Sequence, residues 1–144
     1  MEKTSKHFVS VAAVISDSNG RALVIRRRDN GQWEPPGGTL EIGETIYAGL
    51  RREVKEETGL EVEPESLAGV YKNMKAGVVA LVFRCTVLRG TPHETQESSD
   101  VTWMTRDEIR ERVVEAFAIR LLDGLDHGTV AVRTHDGVNI MHGD

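Results

Sequence analysis

The apolar positions of this chain fall into short runs separated by turn formers, with two longer stretches of helical character. "FVSVAAVIS" and "RALVIRRR" flank "DSNG". Asn-Gly between apolar runs is a strong short-range hairpin signal, so residues 7–16 and 21–28 are expected to pair antiparallel. "DNGQWEPPGGTLE" is rich in turn formers and leaves room for a short strand around Gln32–Glu34. From Thr45 to Thr58 the chain lacks proline, carries helix formers and ends before Gly59, a good C-terminal stop. "LAGVYKNM" and "GVVALVFRCTVL" read as two further strands, "RGTPHETQESSD" as a polar loop and "VTWM" as a short strand. Thr105 and Glu108 form a T-x-x-E capping box that opens a second helix. Ile109, Val113, Phe117 and Leu121 give that helix an apolar stripe, and the pattern tolerates a break near Glu111. The tail "TVAVRTHDGVNIM" carries Asp136-Gly137, another hairpin signal. One helix among strands and a second after them predict an α+β or sandwich arrangement.

Composition narrows the class without naming a chemistry. A chain of 144 residues is expected to form one domain, 1–144, with a real core. Its 39% hydrophobic and 28% charged residues are those of a soluble globular protein. The net charge of −5 argues against broad binding of polymeric nucleic acid, which wants a basic surface. Small phosphate ligands held through metal ions stay open. No apolar run approaches the ~18 residues of a membrane span. The first apolar stretch is short, alternates with serine and continues into the hairpin signal, so it reads as a strand rather than a signal peptide. Cys85 is the single cysteine, which excludes an internal disulfide, and its apolar run makes a packed thiol the expected role. These features together predict a cytoplasmic protein without membrane association.

The first helix carries the chemistry. At about 100° per residue, Ile46, Leu50 and Val54 form one apolar stripe, and Glu53, Glu56 and Glu57 border it instead of lying opposite. Glu53 and Glu57 are like charges at i+4, which costs roughly 0.2–0.5 kcal/mol. They also stand near the helix C-terminus, where the dipole disfavours anions by a further ~0.3–1 kcal/mol. Two local rules broken together call for a compensating partner. Arg51, Arg52 and Lys55 could supply it as a salt-bridged face. The other reading is a divalent cation, since clustered carboxylate oxygens suit a hard ion such as Mg²⁺ or Mn²⁺ that shares its sphere with substrate phosphates. Gly37 and Gly38 in "PPGG" lack side chains and would let backbone approach an ion or phosphate closely.

The same residues resemble a known pattern. Gly38, five residues, Glu44, seven residues, then Arg52-Glu53-Val54-Lys55-Glu56-Glu57-Thr58-Gly59-Leu60 matches the Nudix box, G-x5-E-x7-R-E-U-x-E-E-x-G-U with U aliphatic, at every specified position. "WEPPGG" resembles the usual entry to the box. The resemblance implies an α/β/α sandwich with a mixed β-sheet and the box as loop–helix–loop. It implies a pyrophosphohydrolase acting on a nucleoside diphosphate linked to another moiety. Glu53, Glu56 and Glu57 would bind Mg²⁺ or Mn²⁺, the Gly37 carbonyl would add a ligand, and Glu53 would help to activate water. Arg52 would orient a ligand glutamate. Glu44 would steady the loop and helix, and Gly38 and Gly59 would satisfy backbone geometry.

Outside the box the expectations are looser. The loop "HETQESSD" offers Glu97, and behind it Glu94, as a further metal ligand or base, against a solvated acidic loop. Arg26 and Arg28 share one strand face by alternation, with Arg27 on the other. Arg26, Arg28, Trp33 and Tyr71, with Lys72 beside it, are candidates for substrate contact, against strand-end charge and core aromatics. A nucleoside triphosphate, oxidised or normal, cleaved to the monophosphate is the first substrate reading. ADP-ribose or another nucleotide sugar is the second, and a Nudix-fold nucleotide sensor without turnover the third. A homodimer is compatible with the resemblance.

Overall fold

The computed structural model describes residues 5–143; residues 1–4 and 144 of the expected domain lie outside the described residues. In chain order the elements are β1 (Phe8–Ile15), β2 (Ala22–Arg27), β3 (Trp33–Glu34), β4 (Gly37–Thr39), α1 (Ile46–Thr58), β5 (Glu61–Asn73), β6 (Val78–Arg89), β7 (Ser98–Met104), α2 (Arg106–Arg112), α3 (Glu115–Leu125), β8 (Ala131–His135) and β9 (Ile140–Met141). Among the described residues no helix is long and apolar enough to cross a membrane.

Alternation along β1 explains the layers. Val11, Ala13 and Ile15 face one way, Ala12 and Val14 the other, and all five are buried. A strand apolar on both faces belongs inside a sheet that is covered on both sides. It lies within a six-stranded sheet of order β4-β1-β6-β5-β8-β9, mixed in direction because β1 pairs with β6, and β5 with β8, in parallel. Leu50 and Val54 of α1 pack on the Val11 face. Ala118, Leu121 and Leu125 of α3 pack on the Ala12 face. Each fully buried Leu or Val contributes about 1.5–3 kcal/mol. The fold is thus an α+β sandwich, a mixed sheet between helices, with a three-stranded sheet β3-β2-β7 beside it.

The expected pairing of residues 7–16 with 21–28 does not form. Its turn does: the Asp17 carboxylate accepts from the N–H groups of Asn19 and Arg21 at 2.9 Å, and Gly20 has φ 74°. Beyond one bridge, Ser16 to Ala22, the strands part into different sheets. Both are central strands. β1 takes β4 and β6 as neighbours, and β2 takes β3 and β7, so tertiary pairing overrides the local signal.

β5 starts at Glu61, before the expected "LAGVYKNM", and it passes through Pro64 where the register against β6 shifts. Proline is admitted in a strand at such an irregularity. The second helical stretch breaks at Val113 and Val114, both extended, two residues beyond Glu111. The tail pins the second half, because Ala116 N–H donates to the Val138 carbonyl at 2.9 Å and Ile140 N–H to Glu115 Oε1 at 2.8 Å. Cys85 is packed in the α1-side core, where burial pushes its thiol up to about 12.

Candidate active site

Helix α1 is capped at both ends. Thr45 Oγ1 accepts from Ala48 N–H at 3.2 Å, and Gly59, at φ 81°, ends it by donating to the Lys55 carbonyl. With Leu50 and Val54 locked into the core, Glu53 and Glu57 are held beside β4. Glu57 is 4% exposed, and its Oε1 accepts from Gly37 N–H at 2.6 Å. Gly37 pairs with Ala12 so closely that a Cβ there would stand 2.2 Å from the Val11 carbonyl oxygen. The third carboxylate arrives from elsewhere. Ligand oxygens of Glu53, Glu57 and Glu97 lie within 4.8 Å of one another.

Glu97 sits in the segment between β6 and β7, which is tied down at three points. His93 N–H donates to the Thr58 carbonyl at the end of α1, at 3.0 Å. Arg28 N–H donates to the Glu97 carbonyl at 3.0 Å, and Arg28 Nε to the Thr95 carbonyl at 2.9 Å. Thr95 Oγ1 accepts from Glu97 N–H at 3.2 Å. The exposed side chain of Glu94 points to Arg28 instead, at 3.8 Å.

Arg52 organises the near side of the cluster. Its Nε and Nη2 fork onto the two oxygens of Glu44 at 3.0 and 2.6 Å, and its Nη1 reaches Glu53 Oε1 at 2.9 Å. Nη1 also contacts the exposed Glu56 at 3.3 Å. Glu44 in turn accepts from Glu41 N–H, and these contacts hold its carboxyl down at about 2. Glu57 behaves in the opposite way. Burial pushes its carboxyl up to about 8, with Glu53, Glu34 and Glu97 adding to the rise and Gly37 N–H opposing it. Burial also raises Glu53, against the pull of Arg52. Three carboxylates crowded in this way favour a cation among them, and their hard oxygen donors fit Mg²⁺ or Mn²⁺.

Beside the acids lies a cavity of about 470 Å³ that Glu53, Glu57 and Glu97 line together with Arg27, Arg28 and Asp29. A second cavity, of about 200 Å³, adjoins it and shares Arg27, Gly37, Gly38 and Thr39. The arrangement offers anionic donors for a divalent ion and, in Arg28, a guanidinium for phosphate oxygens; Arg27 is already forked onto both oxygens of Asp29 and bonded to Glu34 at 3.1 Å.

Comparison with known proteins decides what this constellation belongs to. A family profile described as NUDIX domain matches residues 6–124. The chain belongs to the Nudix family. It is a hydrolase acting on pyrophosphate bonds, in a family whose members generally need divalent metal ions. It is 53% identical over 135 residues to a MutT-like protein of Streptomyces ambofaciens, covering 94% of this chain and 88% of that one. It is 38% identical over 89 residues to an ADP-ribose pyrophosphatase of Methanocaldococcus jannaschii, covering 57% of this chain and 52% of that one, so it spans about half of that relative. A crystal structure of an ADP-ribose pyrophosphatase from Streptococcus suis shares the fold at a TM-score of 0.76, with 20% identity over 88% of this chain and 99% of that one.

Within the Nudix box the structure gathers Glu53 and Glu57 with Glu97, while Glu56 lies exposed beside Arg52 and outside that trio. Gly37 meets Glu57 through its N–H. The candidates for substrate contact fare unevenly. Arg28 lines the larger cavity. Arg26 turns away, with Nε on the Gly31 carbonyl at 2.9 Å and its guanidinium 5.9 Å from the Trp33 ring. Trp33 packs against the α3-side core. Tyr71 is fully buried, its hydroxyl donating to Asp123 at 2.7 Å, so it is a core residue and not a ligand contact. Arg27 lies opposite Arg26, as alternation has it, and lines both cavities; Arg28 joins it instead of Arg26, because β2 ends at Arg27 just past a register shift against β7. Sequence reasoning passed over Glu34, Asn73, Phe117 and Arg120, which line the smaller cavity. Arg120 left one signal, a cation one turn from Phe117 on the apolar side of α3.

Proposed function

We propose that this Nudix hydrolase cleaves a nucleoside triphosphate, oxidised or normal, to the monophosphate, using Mg²⁺ or Mn²⁺ held by Glu53, Glu57 and Glu97. The observation that carries the reading is the approach of those three carboxylates to within 4.8 Å beside a cavity that Arg27 and Arg28 also line. A bound divalent ion supplies charge neutralisation at the phosphates and lowers the pKa of a coordinated water. The chain's own residues do the rest. Arg28 orients phosphate oxygens, with Arg27 held beside it by Asp29 and Glu34. Arg52 fixes Glu53, and the Gly37 N–H fixes Glu57. Glu97, exposed and not fully committed to protein partners, is the group placed to take a proton from the attacking water.

A second reading is ADP-ribose as substrate, favoured by the likeness to an ADP-ribose pyrophosphatase over 57% of the chain. Incubation with a panel of nucleoside triphosphates, ADP-ribose and nucleotide sugars, with Mg²⁺ or Mn²⁺, separates the readings by product. Pyrophosphate with a nucleoside monophosphate supports the first. AMP with ribose phosphate supports the second. Absence of any metal-dependent turnover would leave a nucleotide sensor.

A further inference from the structure

The smaller cavity has a feature that the diphosphate chemistry does not use. Arg120 of α3 is 6% exposed, yet its Nε has no hydrogen-bond partner among the described residues. Its Nη2 lies 3.0 Å from His135 Nε2, while Gly137 N–H lies 2.9 Å from His135 Nδ1. Both neighbours are donors only, and a neutral imidazole offers a single acceptor nitrogen. His135 therefore cannot satisfy both. Burial and the adjacent guanidinium lower the His135 pKa, which keeps the ring neutral. Glu34 accepts from Arg27 Nη1 at 3.1 Å, and among the described residues no hydrogen bond joins it to Arg120. The guanidinium is instead clamped between the rings of Phe117 and Tyr71, 4.7 and 5.3 Å from their centroids. A rigidly held, buried cation short of acceptors is costly unless an acceptor arrives from outside.

The cavity that Arg120 lines adjoins the one beside the acidic trio and shares Arg27, Gly37, Gly38 and Thr39 with it. A substrate with its phosphates over the acids would place its far end here. Arg120 and Glu34 both line this cavity, one a set of donors and the other a carboxylate acceptor. A 6-oxopurine matches that pair: O6 and N7 accept from a guanidinium, and N1–H and the 2-amino group donate to a carboxylate. Adenine presents an amino group where O6 would be and a bare ring nitrogen where N1–H would be, so it meets both partners with the wrong polarity.

We propose that the small cavity is a base-reading subsite in which Arg120, with Glu34 opposite, selects a guanine-type ring over adenine. The proposal rests on the nucleotide hydrolase reading and names the base that it would accept. Arg120 is a specificity residue, held away from the reacting phosphates.

Nucleoside monophosphates test it, because they bind without an anhydride to cleave. By calorimetry the wild-type protein should bind GMP more tightly than AMP by about tenfold or more, the range of one good bidentate base contact. Arg120→Met should bring the two affinities within about threefold of each other. Arg120→Lys, which keeps the charge and loses the planar fork, should also lose most of the preference. Glu34→Gln should reduce it independently, which covers the case of an unfolded Arg120 variant. Equal binding of GMP and AMP by the wild type, no saturable GMP binding at millimolar concentration, or an undiminished preference in folded Arg120→Met would overturn the proposal. Turnover of dGTP and dATP with Mg²⁺ is measured in parallel. A GMP preference without turnover refutes the triphosphate reading alone, and turnover without base preference refutes the subsite alone.

Discussion

A Cβ placed on Gly38 would stand 2.5 Å from Glu53 Oε2. The nearest atoms all belong to the Glu53 carboxyl, and Gly38 does not have a positive φ. An alanine there is therefore unstrained in its own backbone and conflicts only with the flexible end of one side chain. Gly38→Ala should leave the thermal midpoint within a few degrees of wild type and lower kcat by about a hundredfold, the cost of displacing a catalytic group by about 1 Å. Steady-state kinetics beside a thermal melt checks both. An unchanged kcat would mean that Glu53 has no need of its present position.

Glu57 links metal, pH and stability. Its carboxyl rises from 4.5 to about 8 on folding, chiefly through burial. Between those values the folded chain keeps a proton that the unfolded chain has lost, so metal-free stability falls as pH rises through that window. Below it both states are protonated and the full contribution is present. A divalent ion needs the deprotonated carboxylate, so its stabilising effect grows in the opposite direction. The melting temperature without metal should drop between about pH 5 and about pH 8.5, and added Mg²⁺ should restore more of it at the higher pH. Glu57→Gln should flatten both trends and remove most metal-dependent turnover.

Arg52 acts on the metal ligands from behind. Its fork holds both oxygens of Glu44, and the remaining nitrogen holds Glu53. Lysine keeps the charge but has no planar fork to reach two carboxylates in fixed directions. Arg52→Lys should weaken Mg²⁺ activation by roughly 10–100-fold, as losses of outer-sphere partners do. A Mg²⁺ titration of the rate reads it, with the half-saturating concentration moving upward.

The box was legible because its message is local. Glu53 and Glu57 stand one helical turn apart beside Leu50 and Val54, and an apolar stripe fixes which way they face. The same logic failed where the deciding contact is distant. No local pattern announces that β1 leaves β2 for β6, since the Asp17–Gly20 turn is genuine and only the competing edges are remote. Arg28 was misplaced on the face of Arg26 because alternation was carried one residue past the end of β2. Tyr71 was misread for want of Asp123, which lies on α3 and satisfies its hydroxyl in the core. Arg120 is the sharpest case, since its meaning depends on His135 of β8 and Glu34 of β3 meeting it from two distant points of the chain, beside Phe117 of its own helix.

Glu97 and Glu94 stand three residues apart on one loop and can be told apart by what the loop is tied to. Arg28 and Thr95 fix the backbone on the Glu97 side, and Glu97 reaches the acids of α1. Glu94 faces solvent and meets Arg28 only at 3.8 Å. If Glu97 takes the proton from water, Glu97→Gln should lower kcat by about a hundredfold or more, the scale of general base catalysis. Glu94→Gln should stay within about threefold of wild type, since an exposed ion pair contributes little. The pH–rate profile divides the two roles open to Glu97. Loss of a base removes the acidic limb of the profile, whereas loss of a metal ligand raises the Mg²⁺ requirement and leaves that limb in place. A Glu97→Gln enzyme with nearly full kcat at saturating Mg²⁺ would return the proton transfer to Glu53 in the box.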